Sequence, residues 1–133
     1  MKALDTNVII RFLVKDDEKQ AKAVHGLFSK AEQEKYQFFI SAPVLLETLW
    51  VLESVYQFPR NRVIDAIDVM LLLPILEFEH HSSVRQFVMN ARETKIDLSD
   101  LLIACVSTSA VCPRVLTFDK KAARHDLLEL IHC

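Results

Sequence analysis

The chain begins MKALDTNVIIRFLV (residues 1–14), and the reading of this stretch decides the fold. KAL (2–4) has the character of a short strand, while Val8, Ile9, Ile10, Phe12 and Leu13 are spaced as the apolar side of a helix. Between them stand Asp5, Thr6 and Asn7. All three residue types cap helices well, because their side-chain oxygens accept from the first free backbone N–H groups. Capping alone therefore accounts for them, unless the rest of the chain builds something around the end of that strand.

Strand and helix signals alternate from here to the C-terminus. QFFIS (37–41), PILEF (74–78), RVLTF (114–118) and LLELIH (127–132) read as strands. Segment 16–34 carries Ala21, Val24, Leu27, Phe28 and Ala31 on one helical face, and Pro43 suits the first turn of the helix that continues VLLETLWVLESVY. Segments 60–73, 82–95 and 99–110 show the same period, and KKAAR (120–124) is a short helical piece. Strands separated by helices need crossover connections, which makes the sheet mainly parallel and the fold class α/β.

Composition bounds the rest. With 133 residues, 51% of them hydrophobic, the chain falls in the size range of one domain, 1–133, and has enough apolar surface for a substantial core. One glycine and four prolines leave little material for a linker. The most apolar run, VMLLLPIL (69–76), falls short of the roughly 20 residues that cross a bilayer, and no signal-peptide pattern forms, so a soluble, cytoplasmic protein is expected. Cys105, Cys112 and Cys133 are an odd count with no close pair, which fits a reducing compartment. Neither they nor His80, His81 and His132 have the spacing of a zinc site.

In open parallel sheets, sites form beyond the carboxyl ends of the strands. Asp5 stands at one such end and Asp119, after RVLTF, at another. Glu47 has Pro43, Val44, Trp50 and Val51 as its helical neighbours, a setting in which a carboxylate is expected to be costly and to need compensation. In IDLSDLLIACV, Asp97 caps a helix and Asp100 occupies its first turn. One site at the sheet's carboxyl edge explains Asp5, Glu47, Asp97, Asp100 and Asp119 together. Gathered carboxylates repel, and an all-oxygen set calls for Mg²⁺ or Mn²⁺ as counter-charge rather than zinc. Such ions activate water and stabilise the leaving oxygen of a phosphodiester, which is the chemistry of nucleic-acid hydrolysis. With those five acids set aside the chain is net positive, and Arg11, Lys15, Lys120, Lys121 and Arg124 follow closely on two of the acids, where a polyanion needs phosphate contacts.

LDTNVIIRFL, ETLWVLE, DLSDLLIA and LTFDKKA, in this order and at these separations, resemble a PIN-domain ribonuclease of the VapC toxin type over essentially the whole chain. The resemblance implies a three-layer α/β/α sandwich with a central, mainly parallel sheet. It also implies Mg²⁺- or Mn²⁺-dependent endoribonuclease activity, a homodimer, and a VapB-like antitoxin as partner. By position, Asp5, Glu47 and Asp100 match the family's first three metal-binding acids, Asp97 an auxiliary acid and Asp119 the last. Asp5, Glu47, Asp100 and Asp119 are thereby the catalytic set, while Thr6, Asn7 and Thr117 are expected to orient carboxylates or water from behind. Many relatives have glycine near Lys15.

Two other classes compete. A haloacid dehalogenase-type phosphatase also places Asp after its first strand, but it needs a second Asp where this chain has Asn7. A non-catalytic PIN-fold binding module would use the acidic pocket to capture a basic arm of a partner. Trp50, Tyr56 and Phe58 offer aromatic area for an interface, with core packing the alternative for Trp50.

Overall fold

The start of the first helix falls where the sequence puts it. In the computed structural model, which describes residues 1–133 throughout, β1 (Lys2–Ala3) is followed by α1 (Thr6–Leu13), and Asp5 is the N-cap of α1. The chain continues with α2 (Glu18–Glu34), β2 (Phe38–Ile40), α3 (Ala42–Ser54), α4 (Arg60–Leu71) and β3 (Leu76–Phe78). Then come α5 (His81–Glu93), α6 (Leu98–Ser109), β4 (Val115–Thr117), a single 3-10 turn (Ala122–Arg124) and β5 (Leu128–Leu130). Two compact units result, residues 1–79 and 80–133.

In the first unit β1, β2 and β3 form a parallel sheet in that order, with Lys2 opposite Phe38 and Phe38 opposite Leu76. Each neighbour is reached through two helices, the long crossover that parallel pairing demands. Phe38 and Ile40 of β2 are buried, as are Ile9 and Ile10 of α1, Leu45, Leu49 and Leu52 of α3, and Ile64 and Ile67 of α4. Burying one such aliphatic side chain is worth about 1.5–3 kcal/mol. Phe28 of α2 joins the core through tilted ring contacts with Phe12 and Phe38, at 4.9 and 5.7 Å between centroids.

A polar clasp ties the C-terminal half of α1 to the start of α2 and to the segment that follows α3. Arg11 donates to Gln20 Oε1 (2.6 Å), to Asp16 Oδ1 (3.1 Å) and to Tyr56 Oη (3.2 Å), and Tyr56 Oη donates to Asp16 Oδ2 (2.8 Å). The Arg11 guanidinium pKa is raised, chiefly by the bond it donates to Tyr56 Oη and further by the charge of Asp16. Arg11, expected from sequence to face phosphate, is thus committed to its own fold. Phe58 likewise carries the Arg62 guanidinium over its ring at 4.1 Å.

In the second unit α5 packs on α6. Val84, Phe87, Val88 and Ala91 supply the buried face of α5, and Leu98, Leu101, Leu102 and Cys105 that of α6. Ser83 Oγ donates to Ser109 Oγ at 2.7 Å, satisfying a buried hydroxyl between the two helices. The thiol of Cys105 is fully buried, and burial pushes its pKa up, in keeping with a packing role.

The α/β class and the parallel pairing agree with the sequence reading. The six helices and the parallel strands are consistent with the expected three-layer α/β/α class, and β4 pairs in parallel with β5 as a two-stranded sheet. All five strands are shorter than their apolar runs. Helix 82–95 also stops at Glu93, because Thr94 is extended (φ −131°). Trp50, expected either in the core or at an interface, is 58% exposed. Glu47 is exposed as well, so the burial expected of it does not occur. Helix α3 is apolar on nearly every side, and its neighbours three and four residues away therefore say little about which face turns inward. No helix is long and apolar enough to cross a membrane.

Candidate functional site

The carboxyl edge of the three-stranded sheet is built by chain ends that cap helices. Asp5 Oδ1 accepts from Val8 N at 3.1 Å, which leaves Oδ2 of this exposed carboxylate for other partners. Thr6, the next residue, is buried, and its hydroxyl has no hydrogen-bond partner. A buried orphan hydroxyl costs about 1–3 kcal/mol, so its persistence beside Asp5 points to a water or ligand that completes it. Asn7 is exposed in the first turn of α1. At the start of α3, Ser41 Oγ accepts from Val44 N (3.4 Å) and Glu79 Oε1, from just after β3, accepts from Ala42 N (2.8 Å). Glu79 is an acid at this edge that the sequence reading missed; its place directly after LEF, as Asp5 lies just beyond KA, was the available signal. Glu47 lies one turn further along α3, exposed to solvent.

In the second unit three acids share one neighbourhood. Asp97 Oδ2 accepts from Asp100 N at 3.1 Å as the N-cap of α6, and Asp100 is the acid of the first turn. Asp119 follows β4 and turns the chain, its Oδ1 accepting from Lys121 N (2.8 Å) and Ala122 N (3.1 Å). Thr117 Oγ1 accepts from Asp119 N at 3.0 Å, so the hydroxyl that the sequence placed behind Asp119 does hold its backbone. Partial burial, then the negative charges of Asp97 and Asp119, raise the pKa of Asp100 above its ordinary value. The cap and first-turn roles read from sequence for Asp97 and Asp100 are both realised, and each cap engages one carboxylate oxygen only.

No group of three or more His, Cys, Asp or Glu side chains is arranged to enclose a metal ion by itself. Magnesium does not require such an enclosure, since it is usually held through one or two carboxylates and keeps several waters. In the first unit the Thr6 hydroxyl lacks a partner next to the oxygen donors of Asp5; in the second, burial and then the acidic neighbours disfavour the charge on Asp100, so each unit by itself offers oxygen donors of the kind a hard cation takes.

A VapC ribonuclease of Aquifex aeolicus (strain VF5) is 25% identical to the chain over 88 residues. The aligned part is 66% of this chain and spans 64% of that protein's length. The family model for the PIN domain matches residues 2–128, nearly end to end, and the chain belongs to the PIN domain family.

Proposed function

We propose that the protein is a Mg²⁺- or Mn²⁺-dependent endoribonuclease, the toxin of a VapBC-like pair, with RNA as substrate, a VapB-like antitoxin as partner, and a cytoplasmic, homodimeric form. The observation that carries this reading is that Asp5 and Asp119 each lie just beyond a parallel strand, while Asp97 and Asp100 open a helix, so that capping aims the carboxylates and leaves oxygens free. Membership of the PIN domain family and similarity to a protein named VapC ribonuclease support it.

Asp5, Glu47, Asp97, Asp100 and Asp119 are the proposed ligands, the catalytic set being all but Asp97. A divalent ion bound there supplies a water of lowered pKa and neutralises charge on the phosphate oxygens. The chain's own contribution is positioning. Asp5 is fixed by its bond from Val8, and Asp119 by two backbone N–H groups and by Thr117 behind it. Thr6 offers its buried hydroxyl, and Asn7 a polar side chain, to a water or carboxylate beside Asp5.

The test is cleavage of structured RNA by the purified protein with Mg²⁺ or Mn²⁺, against an EDTA control and against Glu47→Gln. Cleavage that needs metal and is lost in the variant is the expected result. Tight capture of a partner protein without any metal-dependent cleavage would instead support the non-catalytic binding module.

A further inference from the structure

Beside the acids of the second unit lies a cleft of 250 Å³ whose lining carries no carboxylate: Thr94, Lys95, Ile96, Lys121, Arg124 and His125. Its composition is unusual for a chain in which acids outnumber lysine and arginine, 18 to 16. Elsewhere arginines find acids, as Arg11 finds Asp16 at 3.1 Å and Arg114 finds Glu129 at 3.3 Å. Lys95, Lys121 and Arg124 make no ion pair. Three unpaired cations sharing a small concavity repel one another, and the chemistry that relieves this is an anion.

The cleft's donors are directional as well as charged. His125 Nδ1 accepts from Leu127 N at 3.1 Å, so the neutral ring carries its proton on Nε2 and remains a donor whether or not it is charged. Ile96, almost wholly buried, gives the cleft an apolar wall. The backbone N–H groups of Lys121 and Ala122 are already taken by Asp119, so an anion here is held by side chains. Pockets that enclose drug-sized ligands run from about 300 to 1,000 Å³, and this one is smaller, fit for a phosphate group rather than a free metabolite.

Its position gives the cleft a meaning. One wall runs directly into Asp97, and the other is the turn that Asp119 organises. We propose that this cleft is a phosphodiester subsite, holding a phosphate of the RNA strand that flanks the one to be cleaved. The inference rests on the nuclease reading for the identity of the strand. The subsite fixes the register of the RNA against the acids without reading its bases, as phosphate contacts do.

The experiment measures binding of a labelled single-stranded RNA by fluorescence anisotropy across a salt series, with EDTA present so that no strand is cut. Lys121→Gln/Arg124→Gln is compared with Lys19→Gln/Lys22→Gln, two exposed lysines of α2 whose loss changes the net charge equally. The cleft variant is expected to bind about tenfold more weakly and to lose about 0.7 from the slope of log K against log salt, the share of one single-strand phosphate. The α2 variant is expected to stay close to wild type. Equal losses in both variants, no loss in either, or an RNA that does not bind the wild type at all overturn the subsite. A wild type that binds RNA through the cleft yet cuts nothing with Mn²⁺ upholds the subsite and refutes the nuclease reading.

Discussion

Replacing Asp5 separates two duties that one carboxylate performs. As N-cap it accepts from Val8 N, and α1 has no other acid in its first turn. Asparagine caps about as well as aspartate, so Asp5→Asn forfeits only the attraction between a charge and the helix end, about 0.5 kcal/mol. Asp5→Ala forfeits the cap too, bringing the loss to about 1–1.5 kcal/mol, or a fall of about 4–6 °C in Tm for a chain of this length. Both changes remove the proposed metal ligand, and RNA cleavage with Mn²⁺ should fall more than about 100-fold in each, beyond the cost of losing an outer-shell partner. Urea denaturation and a gel-based cleavage assay on the same preparations read the two duties apart. The reasoning fails if the asparagine variant cuts RNA like wild type, or if it unfolds as easily as the alanine variant.

Asp100→Asn should stabilise the protein at neutral pH. Because burial and the charges of Asp97 and Asp119 raise the Asp100 pKa, the folded protein holds this proton more tightly than the unfolded chain does. Its contribution to stability therefore declines as pH rises from the ordinary carboxylate value through the raised one. The gain from asparagine should shrink towards zero on acidification, and denaturation curves showing a pH-independent difference would contradict the coupling. Val111 is a β-branched residue at φ 79° and 96% exposed, so Val111→Gly removes strain without removing packing. It should raise unfolding stability by about 1 kcal/mol in the same denaturation assay, and a loss would show that the backbone strain is not there.

The sequence was legible where a single physical rule governs. The start of α1, the cap at Asp97 and the turn around Asp119 follow from short-range hydrogen bonding, and each sits where its residues put it. Period alone placed helices where α5 and α6 stand. What was not legible depends on partners distant in the chain. Glu79 was invisible as a helix cap because the bond it accepts comes from Ala42, 37 residues earlier. Arg11 looked like a phosphate contact because Tyr56, 45 positions away, carries no sign in the sequence that it bonds to Arg11. The side of α3 on which Glu47 and Trp50 stand was not legible for another reason: an apolar helix does not announce which side faces water. Lys15 adopts φ 38°, where glycine is the easier occupant, and nothing in the residue type signals it.

The clasp at Arg11 matters most for a residue it never touches. An eight-residue helix is about 12 Å long and too short to hold its shape unaided. It behaves as a lever with Asp5 at the tip and Arg11 near the fulcrum, so that a tilt of about 5° swings the tip through about 1 Å. Coordination distances tolerate only about 0.2 Å. The aim of the proposed ligand Asp5 therefore rests on the buried Ile9 and Ile10 and on what steadies the other end of the rod, a tyrosine, an aspartate and a glutamine gripping one guanidinium.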